Sequence, residues 1–243
     1  MRFQDKVAVV TGASMGIGKA AALAFAREGA TVVIVDINRD QAEGAVKEIQ
    51  AQSGDAHFIR ADVSKEREVR TLIDEVMRRW KRLDVLVNNA GVYVQGDAAE
   101  VSLSDWERIL AVNLTGPFLC TKHAVPAMIK SGGGVIVNVG SEAGLVGIRN
   151  QVAYNVSKGG VIALTRSCAA RSGFRSPTSL PSMKMCPLST AMVPLRIFIS
   201  VDFPAPFSPN RTWTSPSYRA KSTWSRACTP GKALSTCSTL NSG

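Results

Sequence analysis

The 243 residues are 45% hydrophobic and 20% charged, with a formal net charge of +10; such a chain builds a large domain with its own core and is not wholly disordered. No stretch approaches the ~18 uninterrupted apolar residues of a membrane span. The opening MRFQDKVAVVTG holds only four apolar residues in a row, too few for a secretory leader, so the expected location is the cytoplasm.

In chain order, short apolar runs, mostly β-branched, at 7–10, 31–35, 56–61, 85–87 and 135–139 alternate with helix-length segments at 16–28, 39–52, 65–80 and 104–129. A further helix is predicted over 152–170. This alternation predicts an α/β domain whose parallel sheet is covered by helices on both faces. Right-handed crossovers make it doubly wound. Gly29 closes the first helix, and Ser104 with Glu107 three residues on reads as a capping box opening the fourth. Gly116-Pro117 is predicted to kink that fourth helix.

The composition changes near residue 171. Residues 172–243 hold eight lysines and arginines against one acid, Asp202, a balance of +7, which leaves +3 for residues 1–171. Nine of the eleven prolines lie at or beyond Pro177, and serine, threonine and proline supply 31 of the last 72 residues. Within that tail only 195–203 alternates as a strand does, as a makeshift edge strand, and the rest reads as irregular. A divergent extension and translation from a shifted reading frame both explain such a tail; the abrupt loss of acids favours the second.

Cys120, Cys168, Cys186, Cys228 and Cys237 form no CxxC pair, and His57 and His123 are the two histidines. No metal site is predicted, and reduced thiols are expected. The tail cations and aromatics Arg211, Trp213, Tyr218, Arg219, Lys221 and Trp224 interleave as in single-strand binders. A solvated basic tail explains them better, because no nucleic-acid motif accompanies them; no nucleic-acid partner is predicted.

Thr11-Gly12-Ala13-Ser14-Met15-Gly16-Ile17-Gly18 joins the first strand to the first helix. Gly12 suits the sharp turn, Gly16 allows close approach to a pyrophosphate, and Gly18 lets helix and sheet pack tightly. The helix N-terminus offers N–H groups and a partial positive charge to the anion. Asp36 ends the second strand 18 residues after Gly18, where an acid accepts hydrogen bonds from an adenine-ribose 2′-OH and repels a 2′-phosphate. That favours NAD over NADP, with Arg39 close enough to blur the preference; alternatively, Asp36 caps the next helix.

Tyr154 and Lys158, in YNVSK, stand four residues apart and therefore on one helical face. An ammonium beside a phenol stabilises the phenolate, and such a tyrosine can exchange a proton with a carbinol or carbonyl oxygen. On its own, a pair of this kind is more often a solvated surface pair.

The residues TGASMGIG, Asp36, Asp62-Val63, Asn88-Asn89-Ala90-Gly91, Asn113, Ser141 and YNVSK, in this order and spacing, resemble the short-chain dehydrogenase/reductase family. Ser141 lies 13 residues before Tyr154, as the family pattern requires. The resemblance covers residues 1–171 and implies a Rossmann-like dinucleotide-binding and catalytic domain. It implies an NAD(P)-dependent oxidoreductase that interconverts a secondary alcohol and a ketone. Tyr154 would be the acid/base, Lys158 would hold the nicotinamide ribose, and Ser141 would bond the reacting oxygen. Asn113 would position a water linking Lys158 to solvent. Gly12, Ser14, Gly16, Ile17 and Gly18 would cradle the cofactor, Asp62 and Val63 would meet adenine, and Asn89, Ala90 and Gly91 would line the cleft. Taken singly, Ser141 is also a strand terminus and Asn113 an ordinary polar helix residue.

After Arg171 the family pattern stops. A member should continue with a sixth strand ending in Pro-Gly, a threonine loop, a substrate lid and a seventh strand. This chain reads SGFRSPTSLPSMKMCPLST instead. The sheet is therefore expected to keep an open edge beside its fifth strand. A nucleotide-binding but catalytically impaired protein, its substrate region lost, is the alternative reading. The family's fourth- and sixth-position helices, which pair across a two-fold, are present, so a homodimer is expected and a tetramer is in question.

Overall fold

The computed structural model describes residues 1–170 and, beyond them, the backbone of two strands. In chain order the elements are β1 (Val7–Thr11), α1 (Gly16–Arg27), β2 (Thr31–Asp36), α2 (Arg39–Ala51), β3 (Asp55–Arg60), α3 (Glu66–Trp80) and β4 (Val85–Asn88). Then come α4 (Leu103–Leu110), a π-helical turn (Ala111–Thr115), α5 (Gly116–Lys130), β5 (Gly134–Ser141), a 3-10 turn (Glu142–Gly144) and α6 (Val152–Ala170). Strands β6 (Met185–Pro187) and β7 (Pro194–Asp202) follow. All of these belong to one compact unit, Met1–Pro204.

The sheet order is β3-β2-β1-β4-β5-β7-β6, and the first five strands are parallel. The chain winds outward through β2 and β3, then returns to lay β4 and β5 on the other side of β1. That reversal places the switch point of the sheet at the carboxyl ends of β1 and β4, where doubly wound sheets bind ligands. The fold is the Rossmann-like one that the alternation predicts.

Period-2 alternation divides the central strands between two cores. Val9, Val33, Val35, Leu86 and Ile136 face α3 and α5, against Val69, Leu72, Val76, Leu119 and Met128. Ala8, Val10, Val32, Ile34, Val85 and Val87 face α1 and α2, whose contact residues are Ala22, Ala26, Ala42, Ala45 and Ile49. Small side chains on that face let both helices lie close to the strands. At the opposite end of the sheet from the switch point, buried Asp84 fixes β1 beside β4. Its carboxylate accepts from the Val7 N–H at 2.9 Å and from two Arg82 nitrogens at 2.7 Å each.

Three local expectations change. Helix α4 starts earlier: its N-cap is Ser102, whose hydroxyl accepts from the Asp105 N–H at 3.1 Å and donates to the Asp105 carboxylate at 2.8 Å. Ser104 thus lies inside the first turn, because the Ser102–Asp105 pair, and not the expected Ser104–Glu107, closes the cap. The fourth helix is disturbed one turn before the predicted kink, in the π-helical turn. Pro117 has no N–H to give the Asn113 carbonyl, and the Gly116 N–H reaches back to Ala111 instead. The predicted open edge is absent. The stretch read as a makeshift edge strand forms β7, which pairs with β5 in parallel from Gly134–Leu195 to Ser141–Asp202. Its β-branched alternation suits it to the unpaired backbone that β5 presents. Short β6 lies antiparallel on its far side. The remaining readings of the tail fall outside the described residues.

Candidate active site

The loop after β1 turns at Gly12, whose φ is +61°, and a Cβ there would lie 2.7 Å from the Ala90 Cα. Only glycine permits both the left-handed backbone and this approach. A Cβ on Gly18 would run into the Gly12 carbonyl and the Asn89 amide. Gly16 differs: its φ is +56°, yet nothing lies within 4 Å of the place a Cβ would take. The floor of the loop is therefore open. Behind it, α1 follows its N-cap Met15 with no side-chain cap and no acid in its first turn. An uncapped helix N-terminus over an open glycine floor fits the pyrophosphate of a dinucleotide. Ile17 is exposed at the rim, and Ser14 is buried.

Asp36, at the end of β2, accepts from the Ser14 N–H at 3.1 Å and the Asn38 N–H at 3.0 Å. It does not cap α2; Asn38 does, through the Gln41 N–H. Each Asp36 oxygen has a further lone pair for a ribose hydroxyl. Arg39, next in line, is paired with Glu43 at 3.1 Å and lies over the Phe58 ring. Asp62 accepts from the Ser64 N–H at 3.0 Å and the Ser64 hydroxyl at 2.6 Å. Burial pushes its carboxyl up, but the bonds from Ser64 and Lys65 outweigh this and hold it below the usual value. Val63 is buried in the core against Gly116, where a Cβ would come within 2.8 Å of its methyl.

The segment after β4 is tied to the phosphate loop from both directions. The Thr11 hydroxyl accepts from the Asn89 and Ala90 N–H groups at 3.0 and 3.1 Å and donates to the Val87 carbonyl at 3.3 Å. In return, the Asn89 amide donates to the Thr11 and Gly12 carbonyls, each at 2.9 Å. Gly91 passes close to the Asn113 side chain, 3.4 Å from where its Cβ would be.

Asn113 sits in the π-helical turn, 1% exposed. It accepts from the Val92 N–H at 2.8 Å and donates to the Val92 carbonyl at 2.9 Å and the Ser157 hydroxyl at 3.2 Å. Its side chain thus clamps the segment after β4 to α6. A buried polar line does similar work: Asn88 donates to Asn138, and Asn138 to Thr165 on α6, both at 2.8 Å. Gly144 abuts the backbone of Lys158 and Gly159 with no room for a Cβ. Helix α6 is therefore fixed against β4, β5 and the two turns beside them.

That helix carries the predicted pair. Lys158 is 5% exposed; its Nζ donates to the Val139 carbonyl at 2.9 Å and lies 5.6 Å from the centre of the Tyr154 ring. Ser141, two residues beyond Val139, is 1% exposed and accepts from the Ala143 N–H at 3.1 Å. It both ends β5 and caps the 3-10 turn. Tyr154, Lys158, Ser157 and Asn113 thus form one contiguous group beside the end of β5. Thr11, Val92, Ser157 and Asn138 carry positions that sequence reasoning did not assign. Three of them carried a signal, a polar residue within an apolar strand run (Asn138), one at a strand's end (Thr11) and one between the paired phenol and amine (Ser157); Val92, which acts through its backbone, carried none. His57 lies beside Asp55 and Trp80, and His123 beside Glu66. Among the described residues no group of three or more His, Cys, Asp or Glu side chains could hold a metal, and no helix is long and apolar enough to cross a membrane.

Residues 6–176 match the family described as short chain dehydrogenase. An uncharacterized oxidoreductase of Thermotoga maritima is 48% identical over 169 residues, 70% of this chain and 66% of that protein. A crystal structure of NAD+-bound xylitol dehydrogenase superposes with a TM-score of 0.68 at 37% identity, covering 70% of this chain and 66% of the other. A metagenomic short-chain oxidoreductase in complex with NADP superposes with a TM-score of 0.67 at 36% identity, covering 70% and 77%. The chain thus spans about two thirds of the length of the first two.

Proposed function

The chain belongs to the short-chain dehydrogenase family, and from that premise we propose that it is an NAD(P)-dependent oxidoreductase interconverting a secondary alcohol and a ketone, with NAD preferred. The observation that carries this reading is the buried Lys158 ammonium, 5.6 Å from the ring centre of Tyr154 on the face of one rigidly held helix. A positive charge in a poorly solvated place stabilises a phenolate strongly. Tyr154 takes a proton from the carbinol oxygen in oxidation and returns it to the carbonyl oxygen in reduction. Ser141, at the end of β5, supplies a hydroxyl to the same oxygen. Asn113 and Ser157 hold the frame within which these groups keep their spacing. A bound nicotinamide supplies the hydride acceptor or donor.

The residues that would hold the cofactor are Gly12, Ser14, Gly16, Ile17 and Gly18 at the pyrophosphate, Asp36 at the adenine ribose, and Lys158 at the nicotinamide ribose. Asp62 and Val63 would serve adenine, and Asn89, Ala90 and Gly91 the cleft. NAD is favoured because Asp36 opposes a 2′-phosphate, and the nearby Arg39 is engaged by Glu43. The dinucleotide and catalytic domain is residues 1–171, acting in the cytoplasm as a homodimer on a small alcohol or carbonyl compound. Fluorescence titration of the full chain with NADH and NADPH tests the reading: NADH should bind at least ~10-fold more tightly, a difference of ~1.4 kcal/mol. Binding of neither would overturn it. A second reading, dinucleotide binding without turnover, draws on the family match ending at residue 176; it predicts tight NADH binding and no oxidation of any secondary alcohol.

A further inference from the structure

Tyr93 has no part in the chemistry above, yet its ring stands edge-to-face with that of Tyr154, the centroids 5.5 Å apart at 83°. Half of it is exposed. A large aromatic left half in water on a mobile loop would mean little. This one is fixed at both ends of its segment. Val92, immediately before it, gives both its N–H and its carbonyl to Asn113. Three residues after it, the Gly96 N–H donates to the Asn150 carbonyl at 2.9 Å and the Gly96 carbonyl accepts from Val152 at the start of α6. Tyr93 is therefore held against the same helix that carries Tyr154 and Lys158.

The turn leading from Ser141 towards α6 presents two more exposed apolar side chains, Leu145 and Val146, 57% and 60% accessible. Their N–H groups both bond to the Glu142 carbonyl, so this turn is ordered as well. Asp97, the acid nearest Tyr93 in sequence, is occupied by the N–H groups of Ala99 and Glu100. Large apolar side chains on two ordered segments that flank a candidate acid/base stay in water at a cost unless something apolar covers them.

We propose that Tyr93 is a specificity-determining residue, an aromatic wall beside Tyr154 that selects secondary alcohols and ketones with an uncharged, apolar carbon skeleton over polyols and hydroxy acids. This rests on the oxidoreductase reading for its substrate class, and it concerns the part of the substrate that does not react. The ring, not the hydroxyl, makes the wall, because a flat apolar face beside the reacting carbinol gains from a hydrocarbon skeleton and gains nothing from further hydroxyls.

Ligand-observed NMR titrations of the full chain with cyclohexanol, glycerol and 3-hydroxybutyrate, each with and without NADH, test it. Cyclohexanol should bind most tightly to the unaltered chain. Tyr93→Ala should lower the cyclohexanol-to-glycerol affinity ratio about 10-fold, and Tyr93→Phe should retain it. A purely structural role would weaken both ligands alike and leave the ratio where it was, which would overturn the proposal. So would a preference of the unaltered chain for glycerol or 3-hydroxybutyrate. If Tyr93→Ala fails to fold, Tyr93→Leu takes its place, with a loss of ratio expected between those of Phe and Ala and an unchanged ratio again refuting it. NADH separates the two readings. A Tyr93-dependent cyclohexanol site in a chain that binds no NADH sinks the oxidoreductase and spares the wall. NADH binding without any cyclohexanol preference does the reverse.

Discussion

Replacing Thr11 by valine keeps the shape of a side chain that is 1% exposed and removes one hydroxyl. That oxygen is the acceptor for the Asn89 and Ala90 N–H groups at 3.0 and 3.1 Å. Leaving a buried N–H without a partner costs ~1–3 kcal/mol. Both residues here are only partly buried, which puts each at the lower end, so the expected loss is ~2–4 kcal/mol. Thr11→Ser keeps the oxygen and gives up a methyl group, for about 1 kcal/mol. A domain with ~5–15 kcal/mol of stability survives either change. Because Asn89 still donates to the Thr11 and Gly12 carbonyls, the segment after β4 loosens without detaching, and NADH affinity should fall more in the valine variant than in the serine one. Urea unfolding of the three proteins gives the stabilities, and fluorescence titration the affinities. A valine variant as stable as the serine variant would refute the reasoning.

Other consequences are equally open to measurement. Gly18→Ala drives a methyl group into the Gly12 carbonyl and the Asn89 amide, so dinucleotide affinity should drop by more than tenfold. Gly16→Ala meets no neighbour and should cost only the ~1–2 kcal/mol of a left-handed alanine, read from urea melts. Asp84 is pushed up by burial, but the bonds from Arg82 and the Val7 N–H, with the charges of Arg82 and Lys6, outweigh this and hold it below the usual value. Its stabilisation is therefore present above the ordinary carboxylate range and is lost as pH falls through the lower folded value. In Asp84→Asn, stability measured between pH 6 and pH 3 should start lower and decline less steeply; an unchanged slope would contradict this. Burial pushes the Cys120 thiol up to about 12, so peptide mapping after iodoacetamide at pH 8 should find it unlabelled in the folded protein and labelled in urea.

The five-stranded frame was legible because most strands are β-branched runs and the helices set an apolar face against a polar one, as α3 does with buried Val69, Leu72, Ile73 and Val76. Gly12, Gly16 and Gly18 were readable too, since their spacing between a strand and a helix follows from turn geometry. The π-helical turn was not: it arises from Pro117 denying a hydrogen bond to Asn113, and from Asn113 spending its side chain on Val92 and Ser157, residues distant in sequence. The Thr11 pin was not legible for the same reason, because its partners lie 78 and 79 residues away. The place of β7 also depended on tertiary context. Its alternation marked a strand, but pairing beside β5 is a property of the backbone β5 leaves open.

The central claim is that a phenol governed by a buried ammonium performs the proton transfer that accompanies hydride transfer. Steady-state oxidation of cyclohexanol with NAD by the full chain, compared with Tyr154→Phe, tests it most directly. The account predicts measurable NADH formation, reduced at least ~100-fold in the phenylalanine variant, with NADH affinity within a factor of about two. Undiminished turnover in Tyr154→Phe, or no turnover by the unaltered chain while it binds NADH, would contradict it.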